Sequence, residues 1–444
     1  MHLYEVGKLW VADGDDAMDL SFDLGLLLVG VGAVVLAQPG LSLPVLQHDE
    51  LDHLRPAVAG LRRRGGPAIL GFRSFTARLQ PRFGAKLSSG LCVDEHMAHA
   101  LLHSLALGAV QRSVLITDGG SAGLKSRLTA GGLNVVEWHP TSAQLAAGCL
   151  AEHDAVIVRS ATTLEACAIA AGAAGRLRVI GRAGVGVDNI AVGAARQHGC
   201  WVLNTAGAST DSVVELTLAH LLSAARRVPY ADRQLRSGVW AKGKLGGHEL
   251  RGKRLGLIGF GRISRGVAVA AGALGMEVHA TSPSASPMKA SALGVTLQPG
   301  LDELFSTCTH VSLHCGLNPQ TAGAVGSRLL ALMPSVAPDG TVCGSHLINL
   351  ARGGIVDEAA AAAALRNGVL STYSADVFET EPLPADSPLL TCDGFIGSPH
   401  VGGETAEAQE RVGTQLAEAV LAALDGKPPG HGVVCAPMRG LVEP

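Results

Sequence analysis

The chain has 444 residues, with 35 Lys and Arg against 38 Asp and Glu, and a formal net charge of −3. That balance supplies no electrostatic drive toward nucleic acid or an anionic membrane. Charged residues are 16% of the chain and hydrophobic residues 47%, which excludes intrinsic disorder and collagen-like structure. Aromatics are few, with eight Phe, four Trp and three Tyr, while glycines number 57. The core must therefore be Ala, Val, Leu and Ile with closely packed backbones. The length suits about three domains, or two large ones with an extension. Nine cysteines are scattered without a C-x-x-C pair, which fits free thiols in a reducing compartment better than a disulfide framework or a zinc site.

Residues 1–110 have no usable periodicity and receive no function. The apolar run Leu24 to Ala37 is too short for a membrane span and follows an acidic flank. Leu54 to Ser89 is basic and free of acids. This suits an organellar transit peptide in composition but not in position, and a basic surface segment fits equally well. Cytoplasm is the expected location, with an organellar stroma or matrix as the alternative.

From Arg112 the pattern becomes regular. Apolar runs at Ser113 to Thr117, Asn134 to Trp138, Ala155 to Val158, Leu177 to Arg182 and Trp201 to Asn204 alternate with helical stretches. Thr210 to Gly238 reads as one long helix, opened by Ser209-Thr210-Asp211 as cap candidates. A second series follows, with strands at Lys253 to Phe260, Glu277 to Ala280, His310 to Leu313, His346 to Leu350, Tyr373 to Val377 and Phe395 to Ser398. A last helix covers Ala406 to Leu424, before a short VVCAP tail. The alternation predicts an α/β fold with parallel sheets covered on both faces.

Gly259-Phe260-Gly261-Arg262-Ile263-Ser264 follows a predicted strand and opens a helix. In a dinucleotide site, Gly259 would make the tight turn and Gly261 would let backbone approach the pyrophosphate at the helix N-terminus. Ser264 stands at the third glycine position. Alone, the motif also fits a Gly-rich turn. No acid closes the second strand, where Ser282 stands, so a 2′-phosphate would be tolerated and Lys289 would approach it. Polar residues follow later strands: Arg352, Asp376, Glu381 and His400. Together they supply what hydride exchange with a 2-keto acid needs. His400 would move the proton, Glu381 would hold the imidazole, and Arg352 would bind the carboxylate. Asp376 would accept a bond from the nicotinamide carboxamide. Arg159-Ser160, Arg182 and the Val185-Gly186 turn offer a site for a phosphate or carboxylate, although two surface arginines and a Gly-rich turn fit as well.

On VRSAT (Val158 to Thr162), GRAGVGVDNI (Gly181 to Ile190), NLARGGIVDE (Asn349 to Glu358), ADVFETEP (Ala375 to Pro382) and SPHVGGETAEAQERVG (Ser398 to Gly413), the sequence resembles the D-isomer-specific 2-hydroxyacid dehydrogenases. The resemblance spans about residues 112 to 436. It implies two doubly wound parallel-sheet domains. A Rossmann cofactor domain (209–398) would be inserted in a flavodoxin-like substrate domain (111–208 and 399–436), after an N-terminal extension (1–110). It implies Arg352, Glu381 and His400 as catalytic residues. Gly259, Gly261, Arg262, Ile263, Ser282, Cys315, Ala351, Asp376, Gly402, Gly403 and Val185 would face NAD, and Arg159, Ser160, Arg182 and Gly186 the substrate. NADP is the alternative cofactor because Ser282 replaces the usual Asp. VRSAT and the SPHVGGETAEAQ stretch point within the family to 3-phospho-D-glycerate and serine synthesis. The alternatives are reduction of glyoxylate or hydroxypyruvate, and a dinucleotide-sensing co-repressor-like binding protein. A homodimer through the cofactor domain is implied, with no metal, nucleic acid or membrane partner. The segment Pro334 to Ser345 is longer than in relatives and should enter at a strand's amino end, away from the ligand crevice.

Overall fold

Short apolar runs separated by helical stretches fold here as two sheets. The structure, a computed structural model, describes residues 111–437. Before them it describes only the backbone of four short strands, Lys8–Asp13 paired with Asp16–Ser21 and Leu28–Val29 paired with Ala33–Val34. The basic segment Leu54 to Ser89, Cys92 and the rest of the run Leu24 to Ala37 lie outside the described residues. Contacts divide the chain into Met1–Val110 and Gln111–Pro444. Among the described residues, no helix is long and apolar enough to cross a membrane.

In the second unit, one sheet runs Val433–Cys435, Trp201–Asn204, Val179–Arg182, Ala155–Val158, Ser113–Ile116, Asn134–Glu137. Its five sequential strands are parallel and carry the flavodoxin-like order 2-1-3-4-5. Val433–Cys435 adds an antiparallel edge where the sequence suggests only a tail. Three residues are too few to show a period, and pairing with Trp201–Asn204 makes the strand. The other sheet runs Val295–Leu297, Glu277–Thr281, Arg254–Ile258, His310–Leu313, His346–Asn349, Thr372–Ala375, Phe395–Gly397. All its pairings are parallel, in the Rossmann order 3-2-1-4-5-6 with a seventh strand. Val295–Leu297 escapes the sequence reading for the same reason of length.

The strands read as continuous apolar runs because both faces are covered. Val114, Leu115, Ile116, Val156, Ile157 and Val158 are all at most 1% exposed, and each stabilises by roughly 1.5–3 kcal/mol on burial. Helix Ala406–Leu424 returns to the first sheet and packs Leu416 and Val420 into its core.

The long helix predicted over Thr210 to Gly238 is two helices, Thr210–Arg226 and Val228–Arg236. Pro229 is the cause. It has no N–H for the Ala225 carbonyl, and its ring excludes a continuous helix. Arg227 turns the chain with φ +54, and the freed Ala225 carbonyl accepts from His248 N–H at 3.0 Å.

Candidate active site

In both sheets the carboxyl ends of the strands carry the residues singled out from sequence, as ligand crevices of doubly wound sheets require. The glycine fingerprint lies at the switch point of the Rossmann sheet, between Arg254–Ile258 and His310–Leu313. Gly259 has φ +96, and a Cβ there would lie 2.6 Å from the His314 carbonyl oxygen and 3.2 Å from the Cys315 nitrogen. Only glycine fits this approach. A Cβ at Gly261 would meet nothing within 4 Å, so the turn has open space in front of it. Helix Arg262–Ala273 has no side-chain cap at its N-terminus, which leaves its first amides for an anion. Ser264 is buried and donates through Oγ to the Gly259 carbonyl at 2.7 Å, so the third position is filled by a hydroxyl that ties the turn. Ser282, half-buried, follows strand Glu277–Thr281, and Gly259 N–H bonds the Thr281 carbonyl at 2.9 Å. Ser282 therefore stands beside the fingerprint. These features fit a bound dinucleotide. Arg262 is exposed beside them and Ile263 half-buried.

Three distant chain segments meet next to this cradle. His400 Nδ1 and Glu381 Oε2 are 2.7 Å apart, and Glu381 Oε1 accepts from Phe378 N–H at 3.1 Å. Burial pushes the Glu381 carboxyl up, but the His400 hydrogen bond and charge, Phe378 N–H and Arg352 together hold it below the usual range. An ionised Glu381 only accepts, so His400 carries its proton at Nδ1 and presents Nε2 outward. Arg352 donates through Nε to Asp188 Oδ2 at 2.7 Å and through Nη1 to the Ala351 carbonyl at 2.6 Å. A side chain at Gly186 would collide with the remaining Arg352 nitrogen, and one at Gly353 with the Phe378 carbonyl. Those two close approaches set Arg352 over the Val185-Gly186 turn and against the Glu381 loop. Ala351 is buried and Val185 is 40% exposed.

The first sheet supplies positive charge to the same gap. Burial, then the neighbouring Arg352 and Arg159 charges, bring the Arg182 guanidinium down to about 10. Its Nε is buried with no hydrogen-bond partner. Arg159 pairs with Glu404, and Ser160 is exposed on the adjoining loop. Asp118 accepts from the Arg159 and Thr162 amides at 2.6 and 3.1 Å, and Asn189 Nδ2 donates to both carbonyls at 2.7 and 2.6 Å. These bonds fix the loop.

Asp376 is 2% exposed and both its oxygens are engaged. Oδ1 accepts from Ser398 Oγ at 2.6 Å and Val401 N–H at 2.9 Å, and Oδ2 from Gly402 N–H at 2.9 Å. These bonds anchor the His400 to Gly403 turn on Asp376, and Oδ2, with one bond, keeps a further acceptor direction. Behind it, His220 Nε2 lies 3.0 Å from Ser398 Oγ. Since Ser398 spends its proton on Asp376, His220 donates from Nε2, and its buried Nδ1 has no partner.

Residues 218–402 match the family described as D-isomer specific 2-hydroxyacid dehydrogenase, NAD binding domain. The chain is 33% identical to the TT0316 protein of Thermus thermophilus, whose crystal structure it overlays with TM-score 0.65 over 72% of this chain and 100% of that one. The chain belongs to the D-isomer-specific 2-hydroxyacid dehydrogenases. It is 42% identical over 276 residues to the D-3-phosphoglycerate dehydrogenase of Mycobacterium tuberculosis strain H37Rv, which covers 62% of this chain and 50% of that protein. It is 38% identical over 316 residues to the D-3-phosphoglycerate dehydrogenase of Rattus norvegicus, covering 71% of this chain and 57% of that one. The chain thus spans about half the length of these curated relatives.

Around this site the chain carries positioning residues that sequence reasoning leaves unassigned. Asp188 and Asn189 lie inside the quoted GRAGVGVDNI stretch, and Asp118 reads only as part of a turn. His220 gives no signal, because a histidine inside an apolar helix reads as packing. Burial lowers the His220 pKa despite the nearby Asp376 carboxylate. The unfolded chain would therefore take up this proton first, and stability is lost as pH falls below about 6.5. The urea midpoint should drop between pH 7 and 5, and His220→Gln should flatten that drop. An unchanged slope in the variant would remove His220 from the acid response.

Proposed function

We propose that this chain oxidises 3-phospho-D-glycerate to 3-phosphohydroxypyruvate with reduction of NAD, a step that feeds serine synthesis. One observation carries the reading: Arg159, Arg182 and Arg352, each at the carboxyl end of its strand, lie close enough for the first and last to depress the Arg182 guanidinium, whose buried Nε has no hydrogen-bond partner. A substrate with both a carboxylate and a phosphate would bring two anionic groups to this cluster, in which Arg182 alone has no carboxylate partner.

His400 Nε2 takes the proton of the 2-hydroxyl, and Glu381 stabilises the imidazolium that forms. The free nitrogen of Arg352 binds the substrate carboxylate and polarises the carbonyl as it develops. The bound nicotinamide supplies the hydride acceptor. Asp376 and Ser398 keep the His400 turn in place. In the reverse direction His400 donates the proton. The cofactor lies in 209–398, the substrate between it and the 111–208 and 399–436 segments, and two copies pair through the cofactor domain in the cytoplasm.

Cofactor choice rests on Ser282. A neutral residue at this strand end allows a 2′-phosphate that a carboxylate would repel. Ser282→Asp should raise the ratio of kcat/KM for NADH over NADPH by about tenfold or more, as expected for about 1.4 kcal/mol of discrimination. An unchanged ratio contradicts the placement of the ribose at Ser282.

A second reading, reduction of glyoxylate or hydroxypyruvate, is favoured by the pairing of Arg159 with Glu404, which occupies the guanidinium without any phosphate. Arg159→Met separates the two. Loss of a charge-assisted contact should cut kcat/KM for 3-phosphohydroxypyruvate by roughly 10- to 100-fold, equivalent to about 1.5–3 kcal/mol, and spare hydroxypyruvate. Equal turnover of both before and after the change supports the second reading.

A further inference from the structure

A second group of chemistry-bearing side chains sits at the opposite ends of the same strands. His310 and His346 are the first residues of adjacent parallel strands, in register with one another. His248 comes from the segment that returns after helix Val228–Arg236, and its backbone is pinned on the Ala225 carbonyl that Pro229 leaves free. His310 is fully buried and His346 is 3% exposed. One ring nitrogen from each of the three lies within 4.8 Å of the other two.

The hydrogen bonds aim the rings. His310 Nδ1 is 2.9 Å from Thr309 Oγ1, and His346 Nδ1 is 2.8 Å from Thr372 Oγ1. Each ring thus has its far nitrogen held by a hydroxyl, the outer support that metal-bound histidines use. Thr309 donates onward to the Arg254 carbonyl, so it accepts from His310 Nδ1–H and leaves His310 Nε2 as a lone pair. His248 Nε2 faces that lone pair at 3.0 Å. Burial, first of all, lowers all three imidazoles and keeps them neutral, the form that ligates. The nearby cation, Lys253, is already paired with Asp339 Oδ2 at 2.8 Å.

We propose that His248, His310 and His346 form a binding site for a divalent transition metal of the zinc class, which clasps the return segment to the strand ends. Three imidazole nitrogens suit that class. Loading needs no net proton release. His248 shifts its proton from Nε2 to Nδ1. His346 does the same, exchanging its 2.9 Å bond to the Cys343 carbonyl for donation to Thr372 Oγ1. His310 already has the right tautomer. The strands are four residues long, so at ~3.3 Å per residue the site is ~10 Å from the crevice. Its role is structural, and turnover does not depend on it.

The test uses the full chain, stripped with a chelator and titrated with Co2+, then with Zn2+ as competitor. We expect one Co2+ per chain with visible d–d bands, no sulfur-to-cobalt charge transfer, displacement by Zn2+, and a rise in Tm of at least about 2 °C with Zn2+. His248→Gln should weaken Co2+ binding at least tenfold and abolish the Tm rise, while dinucleotide-dependent turnover stays the same. Absence of the bands in the wild type, a thiolate charge-transfer band, or equal binding by wild type and His248→Gln overturns the site. Should His248→Gln fail to fold by circular dichroism, the wild-type spectrum and stoichiometry alone decide.

Discussion

His400→Ala is expected to lower kcat by about 10²–10⁴-fold, the usual contribution of a positioned proton-transfer group, with the dissociation constant for NADH changed less than threefold. The asymmetry follows from the geometry. The imidazole is tied through Nδ1 to Glu381 at 2.7 Å and has only Nε2 to offer a substrate. The turn that carries it is held independently of the ring, by Asp376 on the Val401 and Gly402 amides. Removing the imidazole therefore deletes the proton relay and leaves the cradle. Fluorescence titration of NADH alongside single-turnover kinetics separates the two effects. A variant with undiminished turnover would take His400 out of the mechanism.

The second large effect is expected at Arg352. Arg352→Ala removes the nitrogen that overhangs Gly186 and frees Asp188 in the mouth of the gap. Loss of a preorganised donor to developing charge typically costs 10²–10³-fold in kcat, about 2.7–4 kcal/mol, and a released carboxylate beside the substrate anion should raise KM as well. Arg352→Lys should recover little, because a point charge cannot bond Asp188 and the substrate from one planar fork. If Arg352→Lys restores most of the activity, the fork is not what the site uses. If only KM rises in Arg352→Ala, the residue binds ground state and transition state equally and does not act on the chemical step.

Much of this site is legible in the sequence because each residue stands just after a strand. A doubly wound sheet brings such positions together, so chain distance between Arg352, Glu381 and His400 is no obstacle. Their convergence itself is not legible. It depends on Gly186 and Gly353 allowing two loops to touch, which no spacing encodes. Asp376 has a second job that is not legible, for a related reason. Its position at a strand end points to the ligand, while its bonds to Ser398, Val401 and Gly402, which also hold the His400 turn, have no signature in the sequence. The fold is readable from the alternation of apolar runs and helices. The edge strands Val295–Leu297 and Val433–Cys435 and the break at Arg227 escape it. The edges are too short for a period, and the apolar pattern of Thr210 to Gly238 runs straight through Pro229. The histidine trio is invisible as a group, since its members lie 62 and 36 residues apart and meet only through parallel register.

The account rests most heavily on a small anion being reduced beside the dinucleotide cradle. The most direct measurement is NADH oxidation by the purified chain with 3-phosphohydroxypyruvate, hydroxypyruvate and glyoxylate in parallel. Saturable oxidation is predicted, with kcat/KM for 3-phosphohydroxypyruvate at least about tenfold above the other two, as one added charge-assisted contact provides. NADH binding without consumption by any of the three would contradict the enzymatic reading and leave a dinucleotide-binding protein in its place.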